Sequence, residues 1–270
     1  MALTDQQCSF FHDHGYLHVP AVFAGELEEL SSDLDALMDT WAERTKGWTG
    51  AWRGAYMDAE TERRSELVAL HDLQLYSAAW ARAVVHRPLV ETLAQLLQSP
   101  VELHHTTMHV KPPETGHPFP MHQDYPFYPH TTGAYIDVLV HLDDTCHENG
   151  EIRFLDGSHK LGPLEHIVAD DHGTRTSPFL PVEQYRLEDT VPVPARRGDV
   201  VLFSILTVHG SYINTTDRYR RLVRMGYRSA SNRQLSGQSF GRPGLMVQGL
   251  RARRPDDKPF PQSLFQTPTT

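Results

Sequence analysis

What this chain of 270 residues lacks bounds it first. Cysteine occurs only twice, at Cys8 and Cys146, which is too few for a disulfide framework and suits a reducing cytoplasm. No apolar run approaches the roughly 18 residues of a membrane-spanning helix, so no membrane partner is expected. Met1-Ala2-Leu3-Thr4 has no cationic start of the secretory kind, and Pro268-Thr269-Thr270 is not the Ser-Lys-Leu peroxisomal address. The expected location is therefore cytoplasmic. Positive charge is also scarce: 25 Lys and Arg face 34 Asp and Glu, for a net charge of −9 and a pI near 6. That balance argues against nucleic acid as the main partner and leaves a small-molecule substrate as the expected one.

Histidine, by contrast, is plentiful at 17 residues. In Met121-His122-Gln123-Asp124-Tyr125 the pair His122 and Asp124 stand two apart, so at a strand end both side chains project to one side. One imidazole from elsewhere would complete a face of two histidines and a carboxylate. Such a triad holds one triangular face of an octahedral ion and leaves three positions open, as a non-haem Fe(II) oxygenase requires. A His-x-Asp tripeptide alone is weak, and its downstream company strengthens it. Gly198-Asp199 turns into the apolar run Val200 to Phe203, a buried strand that ends just before His209. Eleven residues on, Arg220 opens a further strand-like stretch, where a guanidinium could pair bidentately with a carboxylate held over the metal.

His122-Gln123-Asp124, then Glu148-Asn149-Gly150, Gly157-Ser158-His159, and His209-Gly210-Ser211 with Arg220 in that order resemble the phytanoyl-CoA dioxygenase family. This is a branch of the Fe(II)/2-oxoglutarate-dependent oxygenases that includes ectoine hydroxylase. The resemblance spans roughly residues 5 to 230. It implies Fe(II), 2-oxoglutarate and O2 as cofactors, with His122, Asp124 and His209 as iron ligands. It also implies that Arg220 pairs with the far carboxylate of 2-oxoglutarate, with Ser211 beside it and Phe119 near the cosubstrate. Halogenating relatives replace the aspartate by a small residue; Asp124 is present, so halogenation is not expected.

The rest of the chain reads as one domain, mainly β with flanking helices. The expected architecture is a double-stranded β-helix, the jelly-roll or cupin-like barrel, of eight or so strands. Residues 4–14 carry a capping box, Thr4 with Gln7, and a stop at Gly15. Leu27, Leu30, Leu34, Leu37, Met38 and Trp41 form an amphipathic stripe. Helices are expected at Ser77 to His86 and Pro88 to Leu97, with Pro88 in a tolerated first turn. Residues 45–65, with Trp48 and Trp52, are either a lid over a substrate or a surface loop pinned by buried rings. His109 lies on a half-buried strand, Val101 to Lys111, and lines the cosubstrate pocket or is a satisfied polar residue. The aromatic run after Asp124, with Tyr125 and Tyr128, is a candidate substrate wall or a rigid turn. On the next strand Tyr135, Asp137, Leu139 and His141 face the cavity, and Leu139 matches a position that relatives place against 2-oxoglutarate. Asp137 then either contacts substrate or inverts that face assignment, because a buried carboxylate is costly unless paired. His159 is expected to be structural, and the long excursion 161–190 to form a second lid. Arg224 shares a face with Arg220 and either holds an acidic group of the substrate or is solvated or ion-paired. The tail 251–270 is expected to be loosely ordered or laid along the surface.

The expected activity is hydroxylation of an unactivated C–H in a small molecule, in bacterial specialised metabolism. Desaturation, cyclisation or epimerisation by the same chemistry is the alternative. A non-oxidative cupin-like metal enzyme, which would not need Arg220, or a ligand-binding jelly roll, which would tolerate loss of His122 or Asp124, is the alternative of another class.

Overall fold

Local signals start the chain as expected. In the computed structural model, which describes residues 2–253, the first helix runs Asp5–His14, its Thr4 and Gln7 closing a reciprocal capping box. Gly15 at φ 85° ends it in the left-handed conformation that glycine adopts without a Cβ penalty. The second helix, Leu27–Thr40, buries Leu27, Leu30, Leu34, Leu37 and Met38. Trp41 departs from that stripe: it follows the last turn, is 59% exposed and lies against Tyr76.

Among the described residues there are fourteen strands. The first four are β1 (Tyr16–Val19), β2 (Glu43–Thr45), β3 (Leu67–His71) and β4 (Val101–Lys111). Next come β5 (Phe119–His122), β6 (Tyr135–His141), β7 (Ile152–Phe154), β8 (Ile167–Ala169), β9 (Arg175–Phe179) and β10 (Val191–Val193). The last are β11 (Val200–Ser204), β12 (His209–Ser211), β13 (Arg220–Ser229) and β14 (Leu245–Gln248). A major sheet runs β1-β11-β6-β13-β4-β3-β2, with β14 pairing the first residues of β4 beyond the end of β3. A minor sheet runs β10-β7-β12-β5, and β8 and β9 form a separate hairpin. Strands β2, β3, β8, β9, β10 and β14 have no counterpart in the sequence expectations.

Period-two alternation decides which face of the major sheet goes where. Ile136, Val138 and Val140 of β6 join Val200, Leu202, Val223 and Met225 in a core completed by Leu30, Leu34, Trp80 and Leu93 from helices. Each such side chain contributes about 1.5–3 kcal/mol by leaving water. The opposite face turns inward, where Leu139, Val201, Phe203 and Leu222 meet Phe154 and Val193 of the minor sheet. The two sheets therefore enclose an interior that begins apolar and becomes charged toward β13 and β4.

Neither loop region is featureless. Residues 45–65 hold the short helices Arg53–Tyr56 and Ala59–Arg64, and the excursion 161–190 contains the β8–β9 hairpin. Each is tied down: Ser177 N–H donates to the Thr49 carbonyl at 3.2 Å, and Leu180 N–H to that of Met121 at 2.9 Å. Of the tail, residues 254–270 lie outside the described residues.

Candidate metal centre and cosubstrate cavity

Antiparallel pairing of β5 with β12 sets His209 opposite His122, with imidazole centroids 4.2 Å apart. Asp124 lies just past the end of β5, where the chain bends into a 3-10 turn, Tyr125–Phe127. The three side chains are buried, and their ligand atoms all lie within 4.8 Å of one another. Backbone carbonyls settle the tautomers. His122 Nδ1 is 2.7 Å from the Pro120 carbonyl, and His209 Nδ1 is 3.0 Å from that of Thr207. A carbonyl only accepts, so both Nδ1 atoms carry the proton and both Nε2 lone pairs are free. His122 Nε2 points at Asp124 Oδ1, 3.6 Å away. Burial, and then the neighbouring His122, push His209 down to about 3, so its ring is neutral and competent as a ligand. Burial alone would raise the Asp124 carboxyl, but the neighbouring Arg224 guanidinium outweighs it and holds the group well below the usual carboxylate range. Two imidazole nitrogens and one carboxylate oxygen fit an Fe(II) ion bound through one face.

The triad lines a cavity whose wall also carries Trp48, Leu139 and Leu222, the mix of apolar faces and a few polar groups that small-molecule sites have. At one end stands Arg220, 2% exposed. Its Nε has no partner among the described residues, and Nη1 makes only a 3.5 Å contact with the His109 carbonyl. Burial pushes this guanidinium down to about 9. Asp143 acts in the other direction, but its oxygens are engaged by Arg221 at 2.7 and 3.0 Å. Lys111 sits opposite Arg220 in the β4–β13 register and is fully buried. Its Nζ donates to Ser211 Oγ at 2.8 Å and to the Tyr212 carbonyl, and burial, then Arg220, hold it well below the usual lysine range. Two buried cations without a carboxylate are costly. An entering anion would relieve that cost, so this end fits a carboxylate of 2-oxoglutarate.

The sequence candidates divide across this cavity. Phe119, His109, Leu139, Ser211, Arg220 and Arg224 line it together with His122, Asp124 and His209. Trp52, Tyr125, Tyr128 and Asp137 are not on its wall. Trp52 is 1% exposed and packs against Met57 and Phe179. The neighbouring Trp48 is the ring that reaches inward, 4.6 Å from His122 and 4.8 Å from Phe127 between centroids. Tyr125 donates to the His130 carbonyl at 3.2 Å and packs with Tyr128 and Tyr135. Tyr128 and Asp137 are fully buried and joined by a 3.2 Å hydrogen bond. Asp137 shares the face of Leu139 but lies off the cavity wall, with Arg224 Nη1 3.5 Å away. Burial, then the charge of Asp124, raise the Asp137 carboxyl well above its usual range. Arg224 itself is ion-paired to Asp124 at 2.8 Å.

His71 and Thr107 on the β3–β4 wall and Gln238 from the segment before β14 escaped the sequence reading, as did Lys111, which is off the wall but behind Ser211. His159 is off the metal, its Nε2 3.1 Å from the His12 carbonyl. The excursion 161–190 contributes no residue to the cavity wall. It braces the metal strand instead, where His166 Nε2 accepts from Gln123 N–H at 2.9 Å.

Comparison with known proteins agrees with this geometry. Residues 11–222 match the family model described as phytanoyl-CoA dioxygenase (PhyH). A Stutzerimonas stutzeri protein named "Probable alpha-ketoglutarate-dependent hypophosphite dioxygenase" is 31% identical over 207 residues, covering 71% of this chain and 70% of that one. The L-proline trans-4-hydroxylase of Streptomyces griseoviridis is 26% identical over 190 residues, covering 63% and 70%. Among solved structures, the alpha-ketoglutarate-dependent carbocyclase SnoK from nogalamycin biosynthesis superposes with a TM-score of 0.70 at 22% identity, covering 92% of this chain and 94% of that one. At that identity it shows the shared double-stranded β-helix fold alone. No described helix is long and apolar enough to cross a membrane.

Proposed function

This chain belongs to the phytanoyl-CoA dioxygenase family, and on that premise we propose how its residues divide the work. It is an Fe(II)- and 2-oxoglutarate-dependent dioxygenase. His122 Nε2, His209 Nε2 and Asp124 Oδ1 would hold the iron. Arg220, with Ser211 and Lys111 behind it, would receive the far carboxylate of 2-oxoglutarate, while Phe119, His109 and Leu139 flank the chain between. Iron and 2-oxoglutarate bound together supply oxidation of a substrate C–H with consumption of O2 and release of succinate and CO2. The protein supplies ligand geometry, orientation and exclusion of water. Trp48, carried by residues 45–65, covers His122 and serves as part of a lid. The excursion 161–190 acts through the metal strand rather than over the cavity.

One observation carries this division: Arg220 is a buried guanidinium without a carboxylate, in the same cavity as the triad. A non-oxidative metal enzyme would have no use for it, and a ligand-binding jelly roll would have no use for the triad beside it. The substrate is a small molecule, and hydroxylation is the reading its relatives support, one being named for proline hydroxylation. Desaturation, cyclisation or epimerisation remains the second reading, favoured by the fold shared with a carbocyclase. Candidate small acids and amino acids, each supplied with Fe(II) and 2-oxoglutarate, test the assignment through substrate-stimulated succinate formation and O2 uptake. Product mass then separates a gain of one oxygen from a loss of two hydrogens. Absence of stoichiometric iron binding, with no succinate from any substrate, would overturn the reading.

A further inference from the structure

We propose that Arg224 is a positioning residue that restricts Asp124 to ligation through one oxygen. The inference rests on the iron and 2-oxoglutarate reading above. Asp124 has two oxygens and the structure treats them differently. Oδ1 is the atom near His122 Nε2, whereas Oδ2 accepts from Arg224 Nη1 at 2.8 Å. A carboxylate free at both oxygens can chelate, and would then occupy two positions on the ion. With two imidazoles and a chelating carboxylate, two of six positions would remain, one fewer than a chelating cosubstrate and O2 need. Holding Oδ2 away keeps the third position open.

The guanidinium is itself fixed. Nη1 also meets the Tyr128 hydroxyl, and Nη2 lies 3.0 Å from His105 Nε2. Arginine only donates, so His105 Nε2 accepts and its Nδ1 carries the proton. That proton goes to His104 Nδ1 at 2.9 Å, which leaves His104 Nε2–H to donate to Gln234 Oε1 at 2.9 Å. One consistent set of tautomers thus runs from the ligand carboxylate to Gln234. It requires both rings to be neutral, and burial, then the nearby arginines, hold both histidines low. Arg224, Tyr128, His105 and Asp137 are all buried, so the fork cannot swing to solvent. A lysine would keep the charge but not the planar fork.

The test is anaerobic titration of the full chain with Fe(II) and 2-oxoglutarate, read by the visible charge-transfer absorption of the chelate, with a thermal melt of each variant. Wild type is expected to give the absorption. R224K and R224M are expected to shift it and to weaken 2-oxoglutarate binding about 10–100-fold, the range found for groups that orient metal ligands. H105L, which removes the acceptor behind the fork, is expected to move the absorption in the same direction by less. Folded R224K with the wild-type absorption and affinity would overturn the proposal, since charge alone would then suffice. So would an effect confined to the KM of the oxidised substrate, which would make Arg224 a substrate contact. Failure of the wild type to give any absorption would sink the underlying reading, and this inference with it.

Discussion

Arg220 and Arg224 lie on one strand, four residues apart, with side chains on the same face. Both are buried, yet their surroundings are opposite. Arg224 meets Asp124 at 2.8 Å and Asp137 at 3.5 Å, and its fork is filled by Tyr128 and His105. Arg220 has Lys111 as its cross-strand neighbour and no carboxylate in contact among the described residues. A buried cation already paired with a carboxylate and held by further hydrogen-bond partners is scaffolding. A buried cation beside another cation is a site that a ligand completes.

Removing either arginine therefore has opposite consequences, and the largest effects break the contrast most directly. Asp124→Ala is expected to abolish stoichiometric iron binding and succinate formation. By leaving Arg224 short of its ion-pair partner, it also destabilises the fold by about 3–5 kcal/mol, the cost of breaking a buried ion pair from one side. Denaturant unfolding alongside iron titration measures both. Arg220→Met is expected to weaken 2-oxoglutarate binding about 10²- to 10⁴-fold, from two charge-assisted hydrogen bonds at about 1.5–3 kcal/mol each. It leaves the ligand-free protein no less stable than wild type, because no native pair is lost. A melting temperature that fell as far for Arg220→Met as for Arg224→Met would erase the distinction. The same logic predicts that 2-oxoglutarate at 100 times its Kd, with a redox-inert divalent ion, stabilises the wild type by about 2.7 kcal/mol. Arg220→Met at the same concentration should show almost none of this.

The triad was legible because its signals are local: two ligands in one tripeptide, and a third at a strand mouth marked by Gly198-Asp199 and four apolar residues. The inward face of β6 was legible for a similar reason, since strict alternation fixes which residues share a side. What stayed hidden depends on contacts between distant segments. Arg224 and Asp124 are 100 residues apart, so nothing in the sequence tells an arginine poised for substrate from one already paired. Lys111 was on the correct face in the alternation of β4, but a lysine at a strand end ordinarily reads as solvated, and only Ser211 and Tyr212 show where its ammonium goes. Trp48 and Trp52 share an aperiodic loop, and only their contacts tell them apart: Trp48 meets His122 and Phe127, whereas Trp52 packs on Met57 and Phe179.

The smallest expected effect sharpens the contrast through pH. In the ligand-free protein burial, then Arg220, depress Lys111 well below the ordinary lysine value of 10.5. Between its depressed folded value and 10.5 the unfolded chain binds more protons at this position, so stability rises with pH across that window. Lys111→Met lacks the penalty. It should be more stable than wild type at neutral pH, with the gap closing as pH climbs toward 10.5. Binding 2-oxoglutarate reverses the local balance, because a carboxylate beside the ammonium favours its protonated form. Above the depressed value, binding must then take up a proton, and affinity for 2-oxoglutarate falls as pH rises. Lys111→Met should bind the cosubstrate more weakly at neutral pH but with a shallower decline, whereas Arg224→Lys, at the end already supplied with anions, should leave the slope unchanged. Isothermal titration in two buffers of different ionisation enthalpy reads the proton uptake directly. Equal uptake by wild type and Lys111→Met would place the ammonium outside the cosubstrate's field and leave Arg220 as the anchor at that end.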